Sequence, residues 1–171
     1  MRIIDFTGQE NIRSEGHTSK GDQPKWKQAG NWYKADHMGY EALSEIIVSR
    51  LLAWSDADDF VSYQPVRIHY NGKVVSGCSS RDFMRKGEML IPFERLHRAY
   101  EGRGLAQTLT RVDSPTARIA YTVDFVERVT NLTGVGAYLT SILELDCLTL
   151  NEDRHTNNLA VLRNEETKTC L

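Results

Sequence analysis

Long apolar runs are missing from this sequence. Nowhere do 18 apolar residues follow one another, and the N-terminus MRIIDFTGQE has no apolar core of signal-peptide length. A cytoplasmic protein of bacterial type is therefore expected. Cysteine is scarce: Cys78, Cys147 and Cys170 are widely spaced, odd in number and without a C-x-x-C pair. That excludes a disulfide framework and a zinc knuckle, and the three read as reduced thiols. Charge of one sign is absent too, since 21 Lys and Arg against 23 Asp and Glu leave a formal net charge of −2. Direct nucleic-acid binding is not expected, and no polybasic or amphipathic segment points to a membrane surface. With only 4 Pro and no repeat or low-complexity tract, disorder is not the default either. A globular chain of 171 residues remains, with a small-molecule or protein partner.

Periodicity organises it. A short strand is expected from Arg2 to Phe6, then a polar, glycine-containing loop from Asn11 to Gly30. NWYKA, residues 31–35, favours a strand, and a helix follows over Tyr40 to Trp54, where Leu43, Ile46, Ile47, Leu51 and Trp54 keep helical spacing. VRIHYNGKVVSG reads as a hairpin turning at Asn71-Gly72. After a boundary near residues 84–90 come a short helix from Pro92 to Tyr100 and a longer one opened by Ser114-Pro115 and running to about Asn131. The expected buried stripe of the longer helix is Ile119, Val123, Val126 and Val129. The next helix, Val135 to Leu148, is apolar nearly all round and is expected in the middle of its lobe. Leu159 to Arg163 and Lys168 to Leu171 suggest a second hairpin. The fold class is α+β in two layers or lobes, residues 1–87 strand-rich and 88–171 helical.

Between the apolar helix and the last hairpin lies LNEDRHTNN, residues 150–158. Asp153 and Asn158 stand in the spacing D-x-x-x-x-N, that of a kinase catalytic loop. In phosphoryl transfer one carboxylate takes the proton of the attacking hydroxyl, while an amide oxygen on the return of the loop holds magnesium against the phosphates. The competing reading is a surface turn with capping Asp and Asn.

With Arg154 and His155 the motif becomes D-R-H-x-x-N, and here the sequence resembles the HipA-like bacterial serine/threonine kinases, with phosphatidylinositol kinases as more distant relatives. A second anchor is NWYKADHMGYEALSEIIVSRLL, which resembles that family's lysine-bearing strand and glutamate-bearing helix. The resemblance implies a two-lobed protein-kinase-like fold, with ATP and Mg2+ as cofactors. It implies Asp153 as catalytic base, Asn158 as metal ligand and Lys34 on the nucleotide phosphates. His155 would support the loop or approach the phosphates, or it is a structural histidine; Arg154 is read as structural. Glu41 is favoured as the partner of Lys34, with Glu45 as the alternative. SEGHTSKGDQPKW would be the phosphate-covering loop, with Gly16 and Gly21 allowing close approach and Ser19 and Lys20 among its donors, although it matches no P-loop or G-x-G-x-x-G fingerprint. Val75 to Phe83 would be the hinge whose backbone meets adenine. A protein substrate and a small DNA-binding regulatory partner are further implications.

The match departs from the family in one respect. Such kinases hold magnesium with a further aspartate beyond the hairpin after the catalytic loop, and no Asp follows Asn158 here. The C-lobe is therefore expected to be incomplete, either a piece of a longer kinase or a naturally short protein with weak or no transfer. A non-catalytic nucleotide-binding module is the alternative function.

Overall fold

The computed structural model describes residues 2–12, 23–152 and 154–171. It divides into two units, Met1–Phe83 and Met84–Leu171, and each is described by itself. Among the described residues, no helix is long and apolar enough to cross a membrane.

The first unit is built on a five-stranded sheet in the order β1-β4-β5-β3-β2. Its strands are β1 (Ile3–Asp5), β2 (Lys25–Gln28), β3 (Asn31–Ala35), β4 (Gln64–Tyr70) and β5 (Lys73–Arg81). β1 runs parallel to β4 and the other pairs are antiparallel. Asn71 and Gly72, at φ 48° and 71°, make the tight turn between β4 and β5, the left-handed pair that an Asn-Gly hairpin requires. One face buries Ile4, Phe6, Trp26, Ala35, Val66 and Ile68, with the Phe6 and Trp26 rings stacked at 4.7 Å.

Helix α1 (Glu41–Leu52) packs on β4 and β5. It does so with the side opposite to Leu43, Ile47 and Leu51. Ala42 and Ser49 are buried, whereas Leu43, Ile47, Leu51 and Trp54 are exposed. The small pair lets the helix lie close to the sheet, and Glu45 falls on the same side. Of the segment expected as a hinge, Val75 to Phe83, residues up to Arg81 belong to β5, the Asp82 N–H donates to the Gly30 carbonyl at 2.9 Å, and Phe83 is the last residue of the first unit.

The second unit contains β6 (Glu88–Pro92), α2 (Phe93–Glu101), α3 (Leu105–Leu109), α4 (Pro115–Thr130), α5 (Val135–Thr149) and β7 (Ala160–Asn164). Ser114 caps α4 by accepting from the Ala117 N–H, and Asn131 ends it in the left-handed region. The core joins Phe93, Leu96, Leu105, Phe125, Val126 and Leu139 with Ile91 and Val161 from the two strands. Of the stripe expected on α4, Val126 is fully buried and Val123 and Val129 pack against the core, while Ile119 lies 41% exposed and the Phe125 ring takes the centre against His97, 4.6 Å between centroids. α5 is not central: it buries Val135, Leu139 and Asp146 but exposes Tyr138, Leu143 and Leu148. α4 is the helix that packs most along it. The expected final hairpin is present: an antiparallel bridge joins Arg163 and Cys170, the Asn164 N–H donates to the Thr169 carbonyl at 2.9 Å, and the Leu171 N–H donates to the Leu162 carbonyl at 2.8 Å. The main partner of β7 is β6, antiparallel from Glu88 with Asn164 to Pro92 with Ala160.

Candidate active site

Lys34 lies on β3 opposite Cys78 of β5. Its ammonium donates to Glu45 Oε1 of α1 and, at 3.0 Å, to the Tyr63 hydroxyl. Burial works against the ammonium charge, but Glu45 and then Tyr63 outweigh it and hold the Lys34 pKa above its ordinary value. The lysine is a fixed cation. Gly77 keeps it in place: a Cβ there would stand 2.5 Å from the Lys34 carbonyl oxygen and 2.7 Å from Ile68 Cδ1. No side chain fits where β5 presses on this strand.

The carboxylate beside Lys34 is thus Glu45, and Glu41 has another task. Its two oxygens accept from the N–H groups of His37, Met38, Gly39 and Tyr40, at 2.8 to 3.3 Å. Burial raises its pKa, yet the amides outweigh that and leave it below the ordinary glutamate value. Asp36 Oδ1 accepts from the Ala42 N–H at 2.6 Å and caps the helix whose N-cap residue, Tyr40, offers no side-chain bond. These two carboxylates fix where α1 begins. That places Glu45, one turn further on, against Lys34.

In the second unit the chain leaves α5 through Leu150, which is left-handed at φ 53°. Asp146, in the last turn of α5, accepts two bonds from Arg154 at 2.7 and 2.8 Å and one from Asn151 Nδ2 at 2.7 Å. Those bonds, Arg154 foremost, hold the Asp146 pKa below the ordinary value against the effect of burial. Arg154 is structural, as the sequence suggested. Asp146 went unrecognised there because nothing but its contact with Arg154 distinguishes it from other helical acids. The segment then turns, with the Asn158 N–H donating to the His155 carbonyl at 2.9 Å, and its exit is tied by the Phe93 N–H to the Leu159 carbonyl at 2.8 Å.

His155 Nδ1 is buried and, among the described residues, has no hydrogen-bond partner. His97 in the same unit is the opposite case: Nδ1 bonds the Arg103 carbonyl at 2.7 Å and Nε2 the Tyr121 hydroxyl at 2.9 Å. A structural histidine looks like His97. An orphaned ring nitrogen is unusual in a packed protein and marks a position that a bound group could complete. Asp153, Gly16, Ser19, Lys20 and Gly21 lie outside the described residues. Among the described residues no three His, Cys, Asp or Glu side chains gather as a metal site. Magnesium on a nucleotide needs only one or two protein ligands, with water and phosphate supplying the rest, so the amide of Asn158 remains chemically suited to it.

A strand-rich unit with a lysine held by the following helix, and a helical unit with a braced polar loop, define a kinase-like fold. A comparison with solved structures agrees: the crystal structure of the Helicobacter pylori proinflammatory kinase CtkA superposes with a TM-score of 0.61 at 17% identity, over 99% of this chain and 57% of that one. At this identity the likeness shows the fold. The chain spans 57% of that kinase's length. No family model and no curated protein sequence matches the chain.

Proposed function

We propose that this chain is the phosphotransfer part of a HipA-like serine/threonine protein kinase, using ATP and Mg2+, in a bacterial cytoplasm. The observation that carries the reading is the partly buried Lys34 ion pair with Glu45 of the following helix, set in a kinase-like fold. D-R-H-x-x-N on the loop after α5 supports it. Lys34 draws the nucleotide phosphates, and its half-desolvated setting makes that charge more effective than it would be in water. Magnesium, when bound, neutralises charge on the transferring phosphoryl group, and Asn158 is its ligand from this chain. Asp153 takes the proton of a protein Ser or Thr hydroxyl as its oxygen bonds the γ-phosphorus and the bond to ADP breaks. Gly16, Ser19, Lys20 and Gly21 belong in this reading to the phosphate-covering loop. Glu41 serves the nucleotide only by fixing the start of α1. A small DNA-binding regulatory partner fits the same family reading.

The test is phosphate transfer from radiolabelled ATP to protein by the purified wild type, Asp153→Asn and Lys34→Met. Asp153→Asn is expected to lower the rate about a hundredfold or more. Equal rates in wild type and Asp153→Asn would overturn the assignment. Magnesium-dependent ATP binding with no transfer by any of the three would assign a nucleotide-binding module instead.

A further inference from the structure

We infer that Glu94, in the first turn of α2, is a positioning residue for the D-R-H loop and acts by holding Thr156. The inference rests on the kinase reading for its effect on rate, but its structural content does not.

Helix α2 begins after Pro92 and has no side-chain cap of its own. Its first N–H groups need acceptors, and the loop supplies them: Phe93 donates to the Leu159 carbonyl at 2.8 Å and Glu94 to the Thr156 carbonyl at 3.3 Å. The Glu94 side chain then returns the contact. Its Oε2 accepts from Thr156 Oγ1 at 2.8 Å and from the Ala106 N–H of α3 at 2.9 Å, while Oε1 lies 3.5 Å from Arg98. Only 14% of the side chain is exposed, so these charge-assisted bonds are shielded from competing water. Gly104 makes room for the carboxylate, since a Cβ there would overlap Glu94 Oε1.

Thr156 stands between His155 and Asn158, two of the candidate site residues. Glu94 pins it twice, through its carbonyl and through its hydroxyl. Asp146 holds the same segment at Arg154 from α5. The loop is therefore fastened on both sides of His155, by carboxylates of two different helices, and neither carboxylate touches His155 itself. A group that must meet a phosphate or a metal within a fraction of an ångström requires such support.

The test uses the full chain with Glu94→Gln, Thr156→Val, Thr156→Ser and the Glu94→Gln/Thr156→Val double variant. Amide hydrogen exchange over residues 150–159, well below the melting temperature, is expected to quicken about tenfold in Thr156→Val. Glu94→Gln is expected to quicken it in the same segment, Thr156→Ser to restore wild-type exchange, and the double variant to exceed neither single by more than about twofold. In phosphate transfer, the same two single variants should lower kcat about tenfold with KM for ATP nearly unchanged. Unchanged exchange in the loop, or a rise spread equally over α4 and the loop, overturns the proposal. So does an unchanged kcat with a loosened loop. If the loop loosens as expected while the wild type transfers no phosphate, the positioning role stands and the kinase reading fails.

Discussion

The two units treat carboxylates differently. In the strand-rich unit Glu45 bonds the candidate functional cation directly. In the helical unit Asp146 and Glu94 bond Arg154, Asn151 and Thr156, the neighbours of the candidate functional groups. A cation must be kept charged in a partly buried place, and a nearby anion does that at once. A base or metal ligand paired with its brace would be blocked, so its neighbours carry the load. Substitutions should therefore entangle folding and function in the first unit and separate them in the second.

The largest effects should come from the cores on which both sites stand. Phe6→Ala in the first unit and Phe125→Ala in the second each remove a fully buried ring and are expected to cost about 3–5 kcal/mol. Thiol labelling distinguishes the two. Cys78 is buried in the first unit and its thiol is pushed up to about 12, burial being the main cause, so its alkylation should accelerate strongly in Phe6→Ala. Cys147 is exposed already and should label quickly in every variant. If Phe125→Ala speeds Cys78 alkylation as much as Phe6→Ala does, the two units do not open separately and the comparison fails.

Next in size is Asp146→Ala, which removes the shared acceptor of Arg154 and Asn151 and should cost about 2–3 kcal/mol in thermal or urea unfolding. The same pair gives a pH signature. The folded Asp146 pKa lies below its unfolded value of about 4. Its contribution is thus complete above that pH and is lost as pH falls through the lower folded value. Asp146→Asn should flatten that part of the acid limb; an unchanged limb would remove Asp146 from the loop's support.

The smallest expected effect is Tyr63→Phe, which deletes one hydrogen bond to Lys34 and leaves Glu45 in place. About 0.5–1.5 kcal/mol of stability should go, with any loss in ATP affinity smaller than in Lys34→Met. A Tyr63→Phe protein as impaired in ATP binding as Lys34→Met would mean that Glu45 alone does not hold the cation.

Local chemistry made much of this fold legible. Asn71-Gly72, Ser114-Pro115 and the strand at residues 31–35 each carry their own geometric requirement. The buried face of α1 was not legible, because Leu43 and Ile47 have the spacing of a packed stripe, whereas close approach to the sheet selects Ala42 and Ser49. The choice between Glu41 and Glu45 depended on where α1 starts, which Asp36 decides from outside the helix. Asp146, Glu94 and Tyr63 act through partners brought close by tertiary structure, and no motif announces them. The pairing of β6 with β7 is equally non-local, since period-2 patterns name strands without naming their partners.

That last pairing has a temporal meaning. Thr156 and Glu94 are 62 residues apart, and β6 waits for β7 across a similar span. A growing chain lengthens by about 5–20 residues per second, so β6 and α2 leave the ribosome several seconds before the strand and loop that complete them. During that interval α2 has neither its backbone acceptors nor its threonine, while the sheet of the first unit already has all its strands. The polar loop is thus among the last parts of the described chain to take shape, and its arrival closes the helical unit.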